Sequence, residues 1–128
     1  MRDRDGGRRP GAVEPGAGPE GRTADRPEER LEGRLEGRLG ERATLVQFSS
    51  AFCAPCRATR RVLAEVAALV PGVAHVEIDA EAHLDLVRRL EIVRTPTVLV
   101  LDAAGRVVRR ASGQPRRADV IAALGEAV

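Results

Sequence analysis

Short apolar runs alternate with stretches of helical spacing over the C-terminal two thirds of this chain, and that alternation constrains the fold more than any other feature. Thr44–Phe48 (TLVQF) is too short for a helix and too apolar for a loop, so it predicts a buried strand. Residues 54–69 put Val62, Leu63, Val66 and Leu69 at helical spacing and stop at Pro71-Gly72. Val73–Ile78 alternates apolar and polar, the pattern of a second strand. Asp79 is a good N-cap for a helix over 80–90, with Leu84, Leu86, Val87 and Leu90 facing inward. Thr97–Leu101 predicts a third strand, residues 102–105 a hairpin turn, and residues 106–111 a polar fourth strand. A last helix over 115–127 has Pro115 in its first turn and Val120, Ile121 and Leu124 on its apolar face. The fold class is α/β. The alternating part implies parallel strands with helical crossovers, and the final hairpin adds an antiparallel edge.

The 128 residues leave room for one domain, and the N-terminal third differs from the rest. Residues 1–26 are rich in Gly, Pro, Arg and acids, and Val13 is their only aliphatic beyond Ala and Met1. Such a segment cannot bury enough apolar surface to offset its ordering entropy, so it is expected to be disordered. It has no apolar signal-peptide core, so the expected location is cytoplasmic; an anchor or signal would need a start upstream of Met1. Residues 27–42 repeat Leu31, Leu35 and Leu39 at i, i+4, i+8, which predicts a weak amphipathic helix. Gly33 and Gly37 cost it about 1 kcal/mol each against Ala, so it needs its Leu stripe docked on the domain. A coiled-coil or membrane-surface use of so short a stripe is the lesser alternative. The compact domain then spans 43–128.

Composition excludes several functions. No run approaches the roughly 18 apolar residues of a membrane span. With two Phe, no Tyr and no Trp, base stacking on aromatics has no support. The 21 basic residues, all arginine, outnumber 19 acids by two and are spread along the chain, so they read as a solvated surface and no nucleic-acid partner is expected. Two cysteines cannot build a multi-disulfide scaffold.

Those two cysteines sit in Phe52-Cys53-Ala54-Pro55-Cys56-Arg57, between the first strand and the first long helix. Two intervening residues at a helix start let the sulfurs close a small ring without unwinding the helix. Cys53 faces unpaired backbone N–H groups and the positive end of the helix dipole, which favour its thiolate over a thiol of ordinary pKa about 8.5. Pro55 fits a first turn, where its missing N–H costs nothing. Arg57 adds positive charge. Cys56, a turn further in, should be more buried. The pattern points to thiol–disulfide exchange, with Cys53 attacking and Cys56 resolving. A structural disulfide or inert buried thiols are the alternatives. Zinc is weakly supported, because His75 and His83 follow Cys56 at spacings unlike those of zinc fingers.

Residues 43–128 resemble the thioredoxin superfamily. The resemblance runs through LVQFSSAFCAPC, VEID, RTPTVLVLDAAGRVV and the Gly113 region, and its most specific part is Cys53-x-x-Cys56 combined with Thr95-Pro96. It implies a three-layer α/β/α fold with a central mixed sheet, although the edge strand that often begins the family is not obvious before residue 43. It implies a cis peptide bond before Pro96, beside the cysteines, and a groove in which the Thr95 backbone pairs with an extended substrate. By the same resemblance Gly113 leaves room for the partner's backbone. Ala51, Phe52 and Ala54 form a small apolar rim, which is either partner-docking surface or local packing, and Phe52, Ala54 and Pro55 are the candidate substrate-binding residues on the cysteine side. Protein disulfides would be the substrates, an external disulfide reductase the electron source, and the chain a monomer with no metal or organic cofactor.

Four positions depart from the family pattern. Phe52 stands where Trp usually precedes the first cysteine, and Ala54-Pro55 replaces Gly-Pro. Gln47 occupies the position of a buried Asp, and His75 that of its Lys partner. The carboxylate thought to deprotonate the resolving thiol is therefore missing, and Gln47 cannot take a proton at neutral pH. His75 is either a proton relay acting through water or a satisfied structural histidine. Pro96 and Gly113 also have plain alternatives, a strand-edge proline and a bend before the last helix. The rival to an enzyme is a thioredoxin-fold binding module with little or no turnover. A third expectation is an oxidant or anchored thiol enzyme facing an export compartment.

Overall fold

The computed structural model describes Leu35 and residues 37–128. The expected disorder over 1–26 lies outside those residues. Strand β1 (Ala43–Ser49) leads through a tight corner into helix α1 (Ala54–Leu69), and β2 (Val73–Asp79) follows. A 3-10 turn (Ala80–Ala82) and a short helix α2 (Leu84–Arg89) connect to β3 (Thr97–Asp102). Strand β4 (Val107–Ser112) and helix α3 (Arg117–Ala127) complete the described chain. The sheet order is β2-β1-β3-β4.

The sheet is mixed, and the parallel alternation extends only to its first pair. Strand β1 pairs parallel with β2 and antiparallel with β3, and β4 adds an antiparallel edge. Element length explains why. Helix α1 has 16 residues, about 24 Å, and carries the chain back along the length of a seven-residue strand of about 23 Å. Helix α2 has six residues, about 9 Å, and cannot make that return. Strand β3 must therefore start near the end at which β2 stops. Asp79 is level with Ser49 and Thr97 with Phe48, so both lie at the C-terminal end of β1.

The period of two sorts the side chains into two cores. Ala43, Leu45, Val98 and Val100 pack with Leu63 and Val66 of α1 and with Val120 and Leu124 of α3. On the other face Val46, Phe48, Val76, Ile78, Leu99 and Leu101 pack with Leu86, Leu90 and Ile92. Leu35 joins this second core fully buried, and Leu39 packs against it. Over 37–42, where the Leu spacing predicts helix, the backbone is turn and bend, and Gly37 takes φ +80°. Most of the expected helix over 27–42 lies outside the described residues.

Three boundary details differ from the sequence expectation. Asp79 caps the 3-10 turn, its Oδ1 accepting from Glu81 N at 2.9 Å, while α2 starts after His83. Pro115 lies before the N-cap Arg116 and not in the first turn of α3. Leu84 and Ile121, predicted inward, are 55% and 47% exposed. Each opens or follows the first turn of a short helix whose inward stripe holds only one or two positions.

Gly40 fixes the entry to β1. A Cβ there would fall 2.3 Å from Ala43 O, 2.6 Å from Gly72 O and 2.7 Å from Ala74 N, all backbone atoms of the β1–β2 pairing. Its N–H also donates to Thr44 Oγ1 at 2.9 Å. Gly40→Ala is expected to cost about 1–3 kcal/mol through forced backbone shifts. Urea unfolding of the two proteins at one pH checks this, and an unchanged midpoint would contradict it.

Candidate functional site

Strand β1 ends at Ser49, and four residues turn the chain into α1. Phe52 makes the turn at φ +56°, a left-handed conformation uncommon for a bulky side chain, and its ring is fully exposed. Cys53 is the N-cap of α1, with Pro55 in the first turn. Its Sγ accepts from Cys56 N at 3.2 Å, a bond that satisfies one of the otherwise open helix-start donors. Cys53 and Cys56 are joined in a disulfide with their Cα atoms 5.2 Å apart. Cys53 is half-buried, while Cys56 is 1% exposed. Ala51, Ala54, Pro55 and Arg57 are exposed around them.

The opposite wall comes from the loop before β3. The Thr95–Pro96 peptide bond is cis. The Thr95 and Ser50 hydroxyls are hydrogen-bonded at 2.7 Å, which ties this loop to the cysteine corner. Gly113 takes φ +87° at the end of β4, and its N–H donates to Pro96 O at 2.8 Å. Thr95, Pro96 and Gly113 thus lie together, with Thr95 joined to the residues just ahead of Cys53.

Beneath the cysteines lies a polar cluster. Gln47 is fully buried and on the same sheet face as α1. Its Nε2 donates to Cys56 O at 2.8 Å and to Ser49 Oγ at 2.9 Å. Its Oε1 lies 3.3 Å from His75 Nε2, which donates to it in the neutral ring's Nε2–H form. Ser49 in turn hydrogen-bonds Glu77. Arg60 of α1 holds Glu77 in a two-pronged ion pair, both contacts at 2.7 Å. Gln47 and His75, named from the sequence, are thus brought together, whereas Ser49, Glu77 and Arg60 were missed. The signal that would have found them is strand register: Gln47 is level with Glu77, and His75 lies two residues from Glu77 on the same face. His83, read as surface, is exposed. Thr59, one turn beyond Cys56, is fully buried with no hydrogen-bond partner for its hydroxyl among the described residues.

The family model described as Thioredoxin matches residues 33–126. The chain belongs to the thioredoxin family. Its fold is similar to that of Fasciola hepatica thioredoxin, at 20% identity and TM-score 0.62, over 77% of this chain and 91% of that one. Chloroplastic thioredoxin z is 26% identical with TM-score 0.62, over 75% and 83% of the two chains. The Schistosoma mansoni thioredoxin pre-protein gives 20% identity and TM-score 0.62, over 77% and 90%. No curated protein matches the sequence. This thioredoxin domain carries a cysteine pair able to form a disulfide. Among the described residues no helix is long and apolar enough to cross a membrane.

Two titrations in the cluster have opposite origins. Burial pushes the His75 imidazolium pKa down, the Glu77 charge partly opposes this, and the Arg60 charge adds to it. The Arg60 hydrogen bonds hold the Glu77 carboxyl below the usual carboxylate range, against the cost of burial. Both folded-state pKa values lie below their unfolded ones. Each group therefore supports folding above its unfolded pKa, and that support is lost as pH falls through the folded value. The His75 contribution should begin to fade below about pH 6.5, and the Glu77 contribution below about pH 4.5. Thermal melts between pH 8 and pH 2 are expected to show both steps. His75→Asn should remove the upper one and leave the lower; an unchanged profile in that variant would contradict the assignment.

Proposed function

We propose that this chain is a thiol–disulfide oxidoreductase that reduces or exchanges protein disulfides through its Cys53-Ala-Pro-Cys56 dithiol. The observation that carries the reading is the asymmetry of the pair. Cys53 sits at the helix cap, reachable from solvent, with its sulfur aimed at an N–H donor. Cys56 is buried one turn inside. In the reduced protein the same N–H and helix dipole favour a Cys53 thiolate.

The thiolate attacks one sulfur of a substrate disulfide. A mixed disulfide forms and the first substrate sulfur leaves as a thiolate. Cys56 then gives up its proton and attacks the Cys53 sulfur, which breaks the mixed disulfide and releases the second substrate sulfur. The substrate gains two electrons and two protons, and the protein is left as its Cys53–Cys56 disulfide. An external disulfide reductase, acting in the cytoplasm, would restore the dithiol. The Thr95-Pro96 loop and Gly113 form the groove along which an extended substrate lies, with Phe52, Ala54 and Pro55 as its rim.

Among the described residues no buried carboxylate serves the Cys56 proton, since Gln47 fills that place. Resolution is therefore expected to be slow and to speed up with rising pH. Catalysed reduction of insulin disulfides checks the function: wild type should turn over and Cys53→Ser should not. Equal rates in the two would leave the rival reading, a binding module without turnover. Gln47→Asp is expected to raise the resolution rate near neutral pH, by up to about 100-fold if the carboxylate acts as a positioned base. Unchanged turnover at every pH in that variant would reject the slow-resolution argument.

A further inference from the structure

Two exposed arginines, Arg94 and Arg57, stand beside the loop of Pro96 and the cysteine pair, and neither side chain has a carboxylate partner among the described residues. Arg94 stands two residues before cis Pro96 and is exposed. Its Nη1 lies 3.9 Å from the point where a Cβ would sit on Gly113. Because Gly113 is bonded to Pro96, this guanidinium lies beside the strip between Pro96 and Gly113. Arg57, also exposed, follows Cys56 directly on the helix side. Four arginines are engaged with carboxylates: Arg60 with Glu77, Arg109 with Glu126, Arg116 with Asp119, Arg117 with Glu65. Arg110 is bonded to the backbone carbonyls of Leu90 and Glu91. Arg57 and Arg94 are set apart by where they stand, next to Cys56 and next to Gly113. Glu91, the one acid of the loop before Pro96, does not pair with Arg94. The exposed Ser112 and Gln114 on either side of Gly113 make this wall polar.

We infer that the groove selects disulfides whose reactive cysteine lies in an extended protein segment with Asp or Glu beside it. Arg94 is the specificity-determining contact and Arg57 a supporting charge. A guanidinium holds a carboxylate in a two-pronged hydrogen bond, and an unpaired surface cation speeds the approach of an acidic segment in a salt-dependent way. The exposed Phe52 ring supplies the apolar contact on the helix side. This inference rests on the oxidoreductase reading.

The test uses the full chain, reduced beforehand, and two disulfide-closed peptides that differ only in Glu or Gln on both sides of one cysteine. Each reduction rate is divided by the rate with dithiothreitol, which removes differences in the peptides' own reactivity. At low salt the acidic peptide should react about fivefold faster, the size of one good exposed ion pair. The ratio should fall toward one at about 0.5 M salt. Arg94→Gln should lose most of the preference and Arg94→Glu should invert it. Arg109→Gln, in the β4–α3 ion pair, should keep it. Equal rates in the wild type at low salt, or a preference that survives Arg94→Gln, would overturn the inference. The wild-type comparison needs no variant to fold. Neutral 2-hydroxyethyl disulfide separates the two levels: if it is reduced while the peptides react alike, only the groove assignment falls. If neither it nor any peptide is reduced, the oxidoreductase reading falls and takes this inference with it.

Discussion

Every residue of β1, from Ala43 to Ser49, is buried, and the site depends on that one strand being closed on all sides. Its N–H and C=O groups have no access to water, so they must be met by neighbouring strands. The parallel pairing to β2 over Ala43–Ser49 and the antiparallel pairing to β3 over Ala43–Phe48 meet them. Those two registers also decide where chemistry can occur. Strand β1 delivers the cysteine corner at its C-terminal end. Strand β3 begins opposite Phe48, so the loop carrying Thr95 and cis Pro96 arrives at the same corner. The meeting of this loop with the cysteine corner is thus a consequence of how the central strand is buried, and the Ser50–Thr95 hydrogen bond secures a contact that the pairing has already imposed.

Local patterns were legible in the sequence to the degree that they depended on local physics. Helix α1 occupies the range that its spacing and the Pro71-Gly72 stop indicate, because a long amphipathic helix with clear ends has few competing solutions. The cysteine pair could be placed at the start of that helix for the same reason. The direction of β3 could not be read from alternation, because it depends on whether α2 is long enough to return the chain, and the apolar spacing overstated that helix. Leu84 and Ile121 were misjudged since a short helix has only one or two inward positions and a single apolar residue decides nothing. The polar cluster stayed hidden in a different way. Ser49, Glu77 and Arg60 come from three elements, and only the β1–β2 register places them together. Arg94 was hidden too, because nothing local in the sequence shows that it lies beside Gly113.

Gln47 shows why the floor of this site is uncharged. Its two amide hydrogens are both committed, one to the Cys56 carbonyl and one to Ser49, and its oxygen accepts from His75. An amide is the group that can give two hydrogen bonds and take one in that arrangement. An ionised carboxylate in the same place has no hydrogen to give. It would leave the buried Cys56 carbonyl without this donor, and an unmet buried acceptor costs about 1–3 kcal/mol. The partners that surround residue 47 are therefore matched to an amide, and the departure from the family's acid is supported by the contacts of Cys56, Ser49 and His75 together. Charge is not lost from the site; it is displaced outward. Glu77 and Arg60 neutralise each other at the edge of the cluster, and Arg57 and Arg94 stand exposed beside the groove. The floor holds Cys56 by a neutral hydrogen bond, so under the proposed function any electrostatic preference for a substrate has to come from the exposed arginines at the rim.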